Sequence, residues 1–325
     1  MIPKPPPREG TLGFLYFPPY RVQGFSVAGE ATSIQIPELD ICFDMGVCPR
    51  AALASKYVAL SHGHMDHIGG LAYWCSQRRF QGMGTGTIVC DTRIEGAVHA
   101  MMKGFQELER QVTPYEVIAL SSEPGKEQSI EIKNNIFLRA FATEHTAPST
   151  GYSILERRTK LKEEFVGLPQ EKLRELKSRG TEITRTLEIP QIAYLGDTLP
   201  GACLLREDVR KAQIIIVECT FFEPEHKGRA KIGMHLHVDD VAEWLSLVEC
   251  EAMVLVHISR RTHLGYAAQR LLEIAGPEKA SKAYLLMDHR TNKMRYDLQA
   301  EDARKREIEL ATRQAGSAAN SPENG

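Results

Sequence analysis

Ser61-His62-Gly63-His64-Met65-Asp66-His67-Ile68-Gly69-Gly70 decides how this chain is read. It follows Tyr57-Val58-Ala59-Leu60, a short apolar run that reads as a buried strand. Three imidazoles and a carboxylate fall within six residues, at a strand end and before a Gly-Gly turn, although the whole chain has only 11 histidines. That density of nitrogen and oxygen donors suits a first-row metal site, and a solvated polar turn does not account for it. His62 and His64 sit two apart, so in an extended segment their side chains share a face and can grip one metal. Asp66 and His67 come just after, where the chain turns, and can reach a second.

The 325 residues permit a sizeable core, and 42% hydrophobic with 25% charged residues is ordinary for a soluble globular chain. The net charge of −2 offers no overall basic field for nucleic acid, so any such contact must rest on a local patch. Cys42, Cys48, Cys75, Cys90, Cys203, Cys219 and Cys250 are odd in number and scattered, with no CxxC pair, which predicts free thiols in a reducing compartment. No apolar run approaches a membrane span, and the Pro-rich start lacks the apolar core of a signal peptide; a cytoplasmic protein with no membrane contact is expected.

Residues 1–10 read as a loose Pro-rich extension and 11–300 as one domain. The text from 11 to 60 alternates as in a meander, with Gly24-Phe25-Ser26-Val27, Ser33-Ile34-Gln35-Ile36 and Asp40-Ile41-Cys42-Phe43-Asp44-Met45-Gly46 as strand-like pieces. Helices are expected over 70–80, 94–108, 238–249 and 263–275, and a last hairpin near 283–297. The stretch 155–185 is rich in Lys, Arg and Glu and includes a helix-like piece from Pro169 to Arg179. From about 301 to 325 the chain is charged, then small and polar, and reads as a short helix and a disordered tail. Strands first, a mixed segment, then strand-helix-strand suits two sheets packed face to face with helices outside.

Further ligand-type residues recur, each at the end of an apolar run. His145 follows Phe137 to Glu144, Asp197 follows Ile192-Ala193-Tyr194-Leu195-Gly196, Glu218 follows Ile214 to Val217, and His257 follows Met253 to Val256. Together with the HxHxDH motif they complete a two-metal set. Two metals about 3.5–4 Å apart can clamp the attacking and leaving oxygens of a phosphoryl displacement. Asp197 is the natural bridge, because a shared carboxylate offsets the repulsion between two close cations.

The order HxHxDH, His, Gly-Asp-Thr and a late strand-end His resembles the metallo-β-lactamase superfamily, and within it the short-form tRNase Z family, most closely its plant-type branch. The matching text is Gly46-Val47-Cys48-Pro49, Ser61 to Gly70, Gly151-Tyr152, Leu161 to Leu168, Leu195-Gly196-Asp197-Thr198, Glu218-Cys219-Thr220-Phe221, His235-Leu236-His237 and His257-Ile258-Ser259-Arg260-Arg261. HxHxDH alone specifies the superfamily; Glu218-x-Thr-Phe, with His235 lying 22 residues before His257, is the narrower signal. The resemblance implies an α/β fold, the αββα four-layer sandwich of two mixed sheets flanked by helices, and a homodimeric endoribonuclease that cuts the 3′ trailer from precursor tRNA. It implies two Zn2+, with Mn2+ or Fe2+ as other occupants. His62, His64 and His145 would hold one metal; Asp66, His67 and His257 the other; Asp197 would bridge. Asp66 would also accept a proton from the attacking water. Glu218 would orient His235, which would protonate the leaving 3′ oxygen; His237, two residues on, competes for that role. The early Pro-x-Lys-x-Arg-Asn stretch of many bacterial short forms is absent, with Gly29 to Ile34 in its place. The segment 155–185 stands where the family builds its RNA-gripping arm, in reduced form. The competing reading is a hydrolase of a small phosphodiester or thioester, since the same site serves both.

Overall fold

The computed structural model describes residues 3–319. The first half forms one sheet. Strands β1 (Gly13–Phe17), β2 (Tyr20–Val27), β3 (Ala31–Ile36) and β4 (Ile41–Phe43) make an antiparallel meander. Parallel strands β5 (Tyr57–Ala59), β6 (Gly86–Asp91) and β7 (Tyr115–Leu120) extend it. Helices α1 (Met65–Ile68), α2 (Leu71–Phe80) and α3 (Glu95–Glu109) fill the crossovers.

The second half repeats the plan. Strands β8 (Ser129–Lys133), β9 (Ile136–Thr143), β10 (Ser149–Leu161) and β11 (Thr184–Tyr194) pair antiparallel. Strands β12 (Ile214–Glu218), β13 (Ala252–Val256) and β14 (Ala283–Leu285) continue the sheet in parallel. Its helices are α4 (Gln170–Ser178), α5 (Glu207–Arg210), α6 (Lys227–Gly233), α7 (Val238–Trp244), α8 (Leu264–Ala280) and α9 (His289–Ala319). Both sheets hold seven strands in sequence order, three antiparallel pairings followed by three parallel ones. The repeat is one of topology and leaves no repeated text.

The period-2 alternation of the strands sorts side chains between layers. Ile214 and Ile216 join Val22, Ile34, Phe43 and Tyr194 in the core between the sheets. Their neighbours Ile215 and Val217 face the other way, into a cluster with Val241 and Trp244 of α7 and Ala267 and Leu271 of α8. On the far side, Val58 and Ile88 pack against Leu71, Trp74 and Cys75 of α2 and Val98 and Met102 of α3. The result is the expected four layers, two mixed sheets flanked by helices.

The end of the chain departs from its sequence reading. Instead of a hairpin near 283–297, a short β14 is followed by α9, which runs through residue 300 without a break. The helix gains i,i+4 support from Lys293–Asp297 and Lys305–Glu301. It docks on β1, where the Tyr296 and Phe14 rings meet edge to face at 5.5 Å and Arg295 lies over Phe17. Ala283 to Leu285 do form a strand, but the residues expected to pair back on it belong to α9. The expected tail beyond residue 319 lies outside the described residues. Helix α7 is also shorter than expected, ending at Trp244, and its N-cap is His237, with Asp240 closing a capping box.

Each helical layer buries one tryptophan. The Trp244 indole donates to Leu204 O at 2.9 Å. The Trp74 indole N–H is buried with no partner among the described residues. Trp244→Phe should therefore cost more than Trp74→Phe, by about 1–2 kcal/mol, because it strands an acceptor that the other substitution does not. Urea unfolding of both variants checks this, and equal losses would contradict it.

Candidate metal centre

The strand ends gather at one cleft. His62 leaves β5, His145 leaves β9, Asp197 leaves β11, Glu218 closes β12 and His257 leaves β13. Because β11, β12 and β13 are parallel, their carboxyl ends fall on one edge, where such sheets place their sites. Two glycines permit the approach of the motif loop. A Cβ on Gly46 would lie 1.8 Å from Asp66 O, and one on Gly196, at φ +61°, would lie 2.6 Å from Ser61 Cβ. Neither position accepts a side chain.

Two ligand groups result. His62 Nε2 stands 2.9 Å from His64 Nδ1, and His145 Nε2 stands 3.3 Å from the same atom. His257 Nε2 lies 3.4 Å and His67 Nε2 3.8 Å from Asp66 Oδ2. Asp197 Oδ2 is shared, at 3.3 Å from His257, 3.4 Å from His67 and 4.0 Å from both His62 and His145. Donors around a tetrahedral ion with bonds of about 2.0–2.1 Å stand roughly 3.3 Å apart, which these spacings approach.

The outward nitrogen is tied in His67, His62, His257 and His145, which fixes the inward one. His67 Nδ1 donates to Asp44 Oδ2 at 2.7 Å, and its Nε2 is buried with no hydrogen-bond partner among the described residues. An orphaned buried nitrogen aimed at two carboxylates fits a metal-ligating position. His62 Nδ1 donates to Ser61 Oγ, which in turn donates to Asp44 Oδ2. His257 Nδ1 donates to Thr220 Oγ1, which donates to Glu218 Oε2. His145 Nδ1 donates to Met234 O at 3.0 Å. The residues fit divalent metal ions.

Electrostatics agree. Burial disfavours a charged His67, yet Asp197 and Asp44 outweigh it and hold its pKa well above the usual value, so the spot draws positive charge. Burial raises Asp66 and Asp197, but the imidazoles around them, His257 first in each case, hold both below the usual carboxylate range. Burial, with neighbouring imidazoles, pushes His62 down to about 2, the neutral form that a ligand needs.

Beside the cluster, His235 Nδ1 donates to Glu218 Oε1 at 2.9 Å. Glu218 is fully buried and also accepts from the backbone N–H groups of Thr198, Leu236 and Thr220. Burial lowers the pKa of His235, but this bond and the Glu218 charge raise it overall. His235 Nδ1 is also 3.9 Å from Asp197 Oδ2, but that nitrogen is already spent on Glu218, so only Nε2 is free. His237, the competing residue, is buried, accepts from Asp239 N through Nδ1 and donates to Glu223 O through Nε2. Its Nδ1 caps α7 and its Nε2 is tied to the Glu223 carbonyl, so both nitrogens are occupied.

Comparison with known proteins matches residues 47–258 to the β-lactamase superfamily domain. The chloroplastic tRNase Z of Arabidopsis thaliana is 31% identical over 261 residues, 78% of this chain and 72% of that one. A second Arabidopsis thaliana tRNase Z is 31% identical over 248 residues, 74% and 86% of the two chains. This chain belongs to the tRNase Z family of the metallo-β-lactamase superfamily. It shares its fold with human tRNase Z, short form, at TM-score 0.52 and 18% identity over 77% of this chain and 93% of that one. The family makes it a hydrolase that uses divalent metal.

Sequence reasoning passed over Asp44 and Thr220 as functional residues. Asp44 obeys the strand-end rule used for the other ligands, following Ile41-Cys42-Phe43, but its place in a meander concealed it. Carboxylates that orient metal-bound imidazoles typically account for a 10–100-fold effect on metal affinity. Asp44→Asn should therefore weaken divalent-metal affinity by about that factor while the protein still folds. Competition with a chelator measures it, and wild-type affinity in the variant would contradict the role.

Proposed function

We propose that this chain is a zinc-dependent endoribonuclease that removes the 3′ trailer from precursor tRNA. The observation that carries the reading is the Glu218–His235 pair set against the metal ligands, because expelling an alkoxide needs a placed proton donor. Two zinc ions held by His62, His64 and His145 and by Asp66, His67 and His257, with Asp197 between, would polarise the phosphoryl group and acidify the attacking water; manganese or iron(II) also suits these donors.

The chain's own groups do the rest. Asp66 Oδ2, steadied by the Gly29 N–H at 2.9 Å, accepts a proton from the water that adds to phosphorus. His235 delivers its Nε2 proton to the 3′ oxygen as the P–O3′ bond breaks. The body of the tRNA keeps a 3′-hydroxyl and the trailer keeps a 5′-phosphate. Glu218 holds the imidazole in orientation and stabilises its charged form.

The segment 155–185 is the reduced RNA-binding arm in this reading. It extends β10 and β11 beyond the sheet body and carries α4, none of whose residues is buried. Much of its basic charge is matched locally. Arg158 pairs with Glu156, Lys162 with Glu182, Arg179 with Glu175, Arg185 with Glu163, and Arg157 with Glu188. That matching favours the second reading, a small phosphodiester or thioester substrate. Lys160, Lys172, Arg174 and Lys177 have no acidic partner among the described residues and support the first. The homodimer belongs to the same proposal, supported by exposed apolar side chains of α2 and α3, including Tyr73, Phe80 and Leu108. The seven free cysteines support a reducing compartment such as the cytoplasm. Among the described residues no helix is long and apolar enough to cross a membrane.

His235→Ala should slow cleavage of precursor tRNA by roughly 10²–10⁴-fold while metal content holds. Hydrolysis of bis(p-nitrophenyl) phosphate should fall far less, since nitrophenolate leaves without a proton. Loss of metal in His235→Ala, or equal losses on both substrates, would reject the assignment. Neutralising Lys172, Arg174 and Lys177 together should raise KM for precursor tRNA and flatten its dependence on salt. An unchanged KM and salt slope would remove the arm from the proposal.

A further inference from the structure

A groove of about 470 Å³ opens beside His235, lined by Leu199 and Pro200 on one wall and by Lys227, Ala230 and Lys231 of α6 on the other. We infer that it seats the nucleotide whose 3′ oxygen departs, with Lys231 gripping the phosphate on the 5′ side of that nucleotide. This rests on the tRNA-processing reading.

The groove is built from the catalytic apparatus itself. Glu218 Oε1, which holds His235, also accepts from Thr198 N at 3.2 Å and Leu236 N at 3.1 Å. Leu199 N donates to Glu144 O at 2.8 Å, so the apolar wall is pinned by its backbone. The opposite wall is pinned where α6 ends. Met234, in the left-handed region at φ 57°, turns its carbonyl to His145 Nδ1, and His235 follows directly. Both walls therefore hold a set position relative to the proton donor, which is what a positioning subsite needs.

The charges single out one residue. Asp239 and Asp240 also line the groove, but Asp239 is paired with Lys227 and Asp240 accepts from the backbone N–H of His237. Lys231 is exposed and has no acidic partner among the described residues. An apolar wall facing an unmatched cation suits a nucleotide, with the flat base on Leu199 and Pro200 and the phosphate on Lys231.

Direction follows from the chemistry. His235 Nε2 must come within about 2.6–3.2 Å of the leaving oxygen. Asp66, the proton acceptor, groups with His67 and His257. His235 lies outside that group, though it approaches His257 as well as His145 and Asp197, and it carries the proton that the leaving oxygen takes. In-line displacement places the leaving oxygen opposite the attacking water, hence on the His235 side. The nucleotide that owns that oxygen is the last one retained on the tRNA body.

The test is a two-by-two comparison on steady-state cleavage of precursor tRNA. Wild type and Lys231→Gln are each given the natural substrate and one carrying a methylphosphonate at the phosphate 5′ of the last retained nucleotide, with the adjoining ribose 2′-O-methylated in both. Each change alone should raise KM about tenfold, as loss of one charge-assisted phosphate contact does, with kcat little altered. The two together should give no further rise, and Lys231→Arg should restore the natural KM. Multiplying effects, or a wild-type KM in Lys231→Gln, would overturn the inference and leave the tRNA reading standing. A wild type that hydrolyses bis(p-nitrophenyl) phosphate but cuts no precursor tRNA would overturn that reading and the inference with it.

Discussion

A hydrogen bond from the outward nitrogen of an imidazole to a fixed acceptor is the constraint on which this site depends. It chooses the tautomer, and the tautomer decides which nitrogen faces the cleft. Two buried carboxylates supply most of the acceptors. Asp44, from the first sheet, reaches His67 directly and His62 through Ser61, and takes the Tyr194 hydroxyl from the second sheet. Glu218, from the second sheet, reaches His235 directly and His257 through Thr220. Burying a carboxylate is costly unless every lone pair is used. Both are fully buried and both are surrounded by donors, so neither can turn away without stranding a charge.

The backbone carries a related strain. Asp44 and His257 are non-glycine residues in the left-handed region, each at φ 56° and each just past a strand. The conformation costs roughly 1–2 kcal/mol per residue. It turns the side chain out of the strand plane and into the cleft, where Asp44 is held by the adjacent strand of its own sheet and His257 by the opposite sheet. Asp44 N donates to Ala59 O, and His257 N donates to Ser26 Oγ. Further bonds stitch the two sheets beside the site, from Thr150 N to Ser61 O and from the Tyr152 hydroxyl to Leu60 O. The two metal-ligand groups therefore depend on the packing of the two halves, and loosening the sheet interface would separate them.

The charge balance has a functional meaning. A chain with net charge −2 does not draw RNA by its overall field. Contact must come from local cations that lack acidic partners, such as those on the α4 face of the arm and Lys231 in the groove. A polyanion held at isolated points is held in register, which suits a single scissile phosphate better than diffuse attraction would.

The residues that gather in the cleft were legible in the sequence as candidate ligands because most follow an apolar run. A buried strand ending in a His or Asp is a local pattern, and HxHxDH concentrates it in one loop. The two-sheet plan was legible for the same reason, since alternation and uninterrupted apolar runs are one-dimensional signals. The last hairpin was misjudged because a half-buried helix such as α9 and a strand share short apolar stretches, and only docking against Phe14 and Phe17 separates them. Asp44 and the rivalry between His235 and His237 were not decidable from text. His237 caps a helix while His235 faces Glu218, and the two differ by which way the backbone leaves Met234. Donor types and their strand-end positions are properties of the chain. Which nitrogen points inward is a property of partners distant in sequence, and only the packed tertiary structure brings those partners within hydrogen-bond reach.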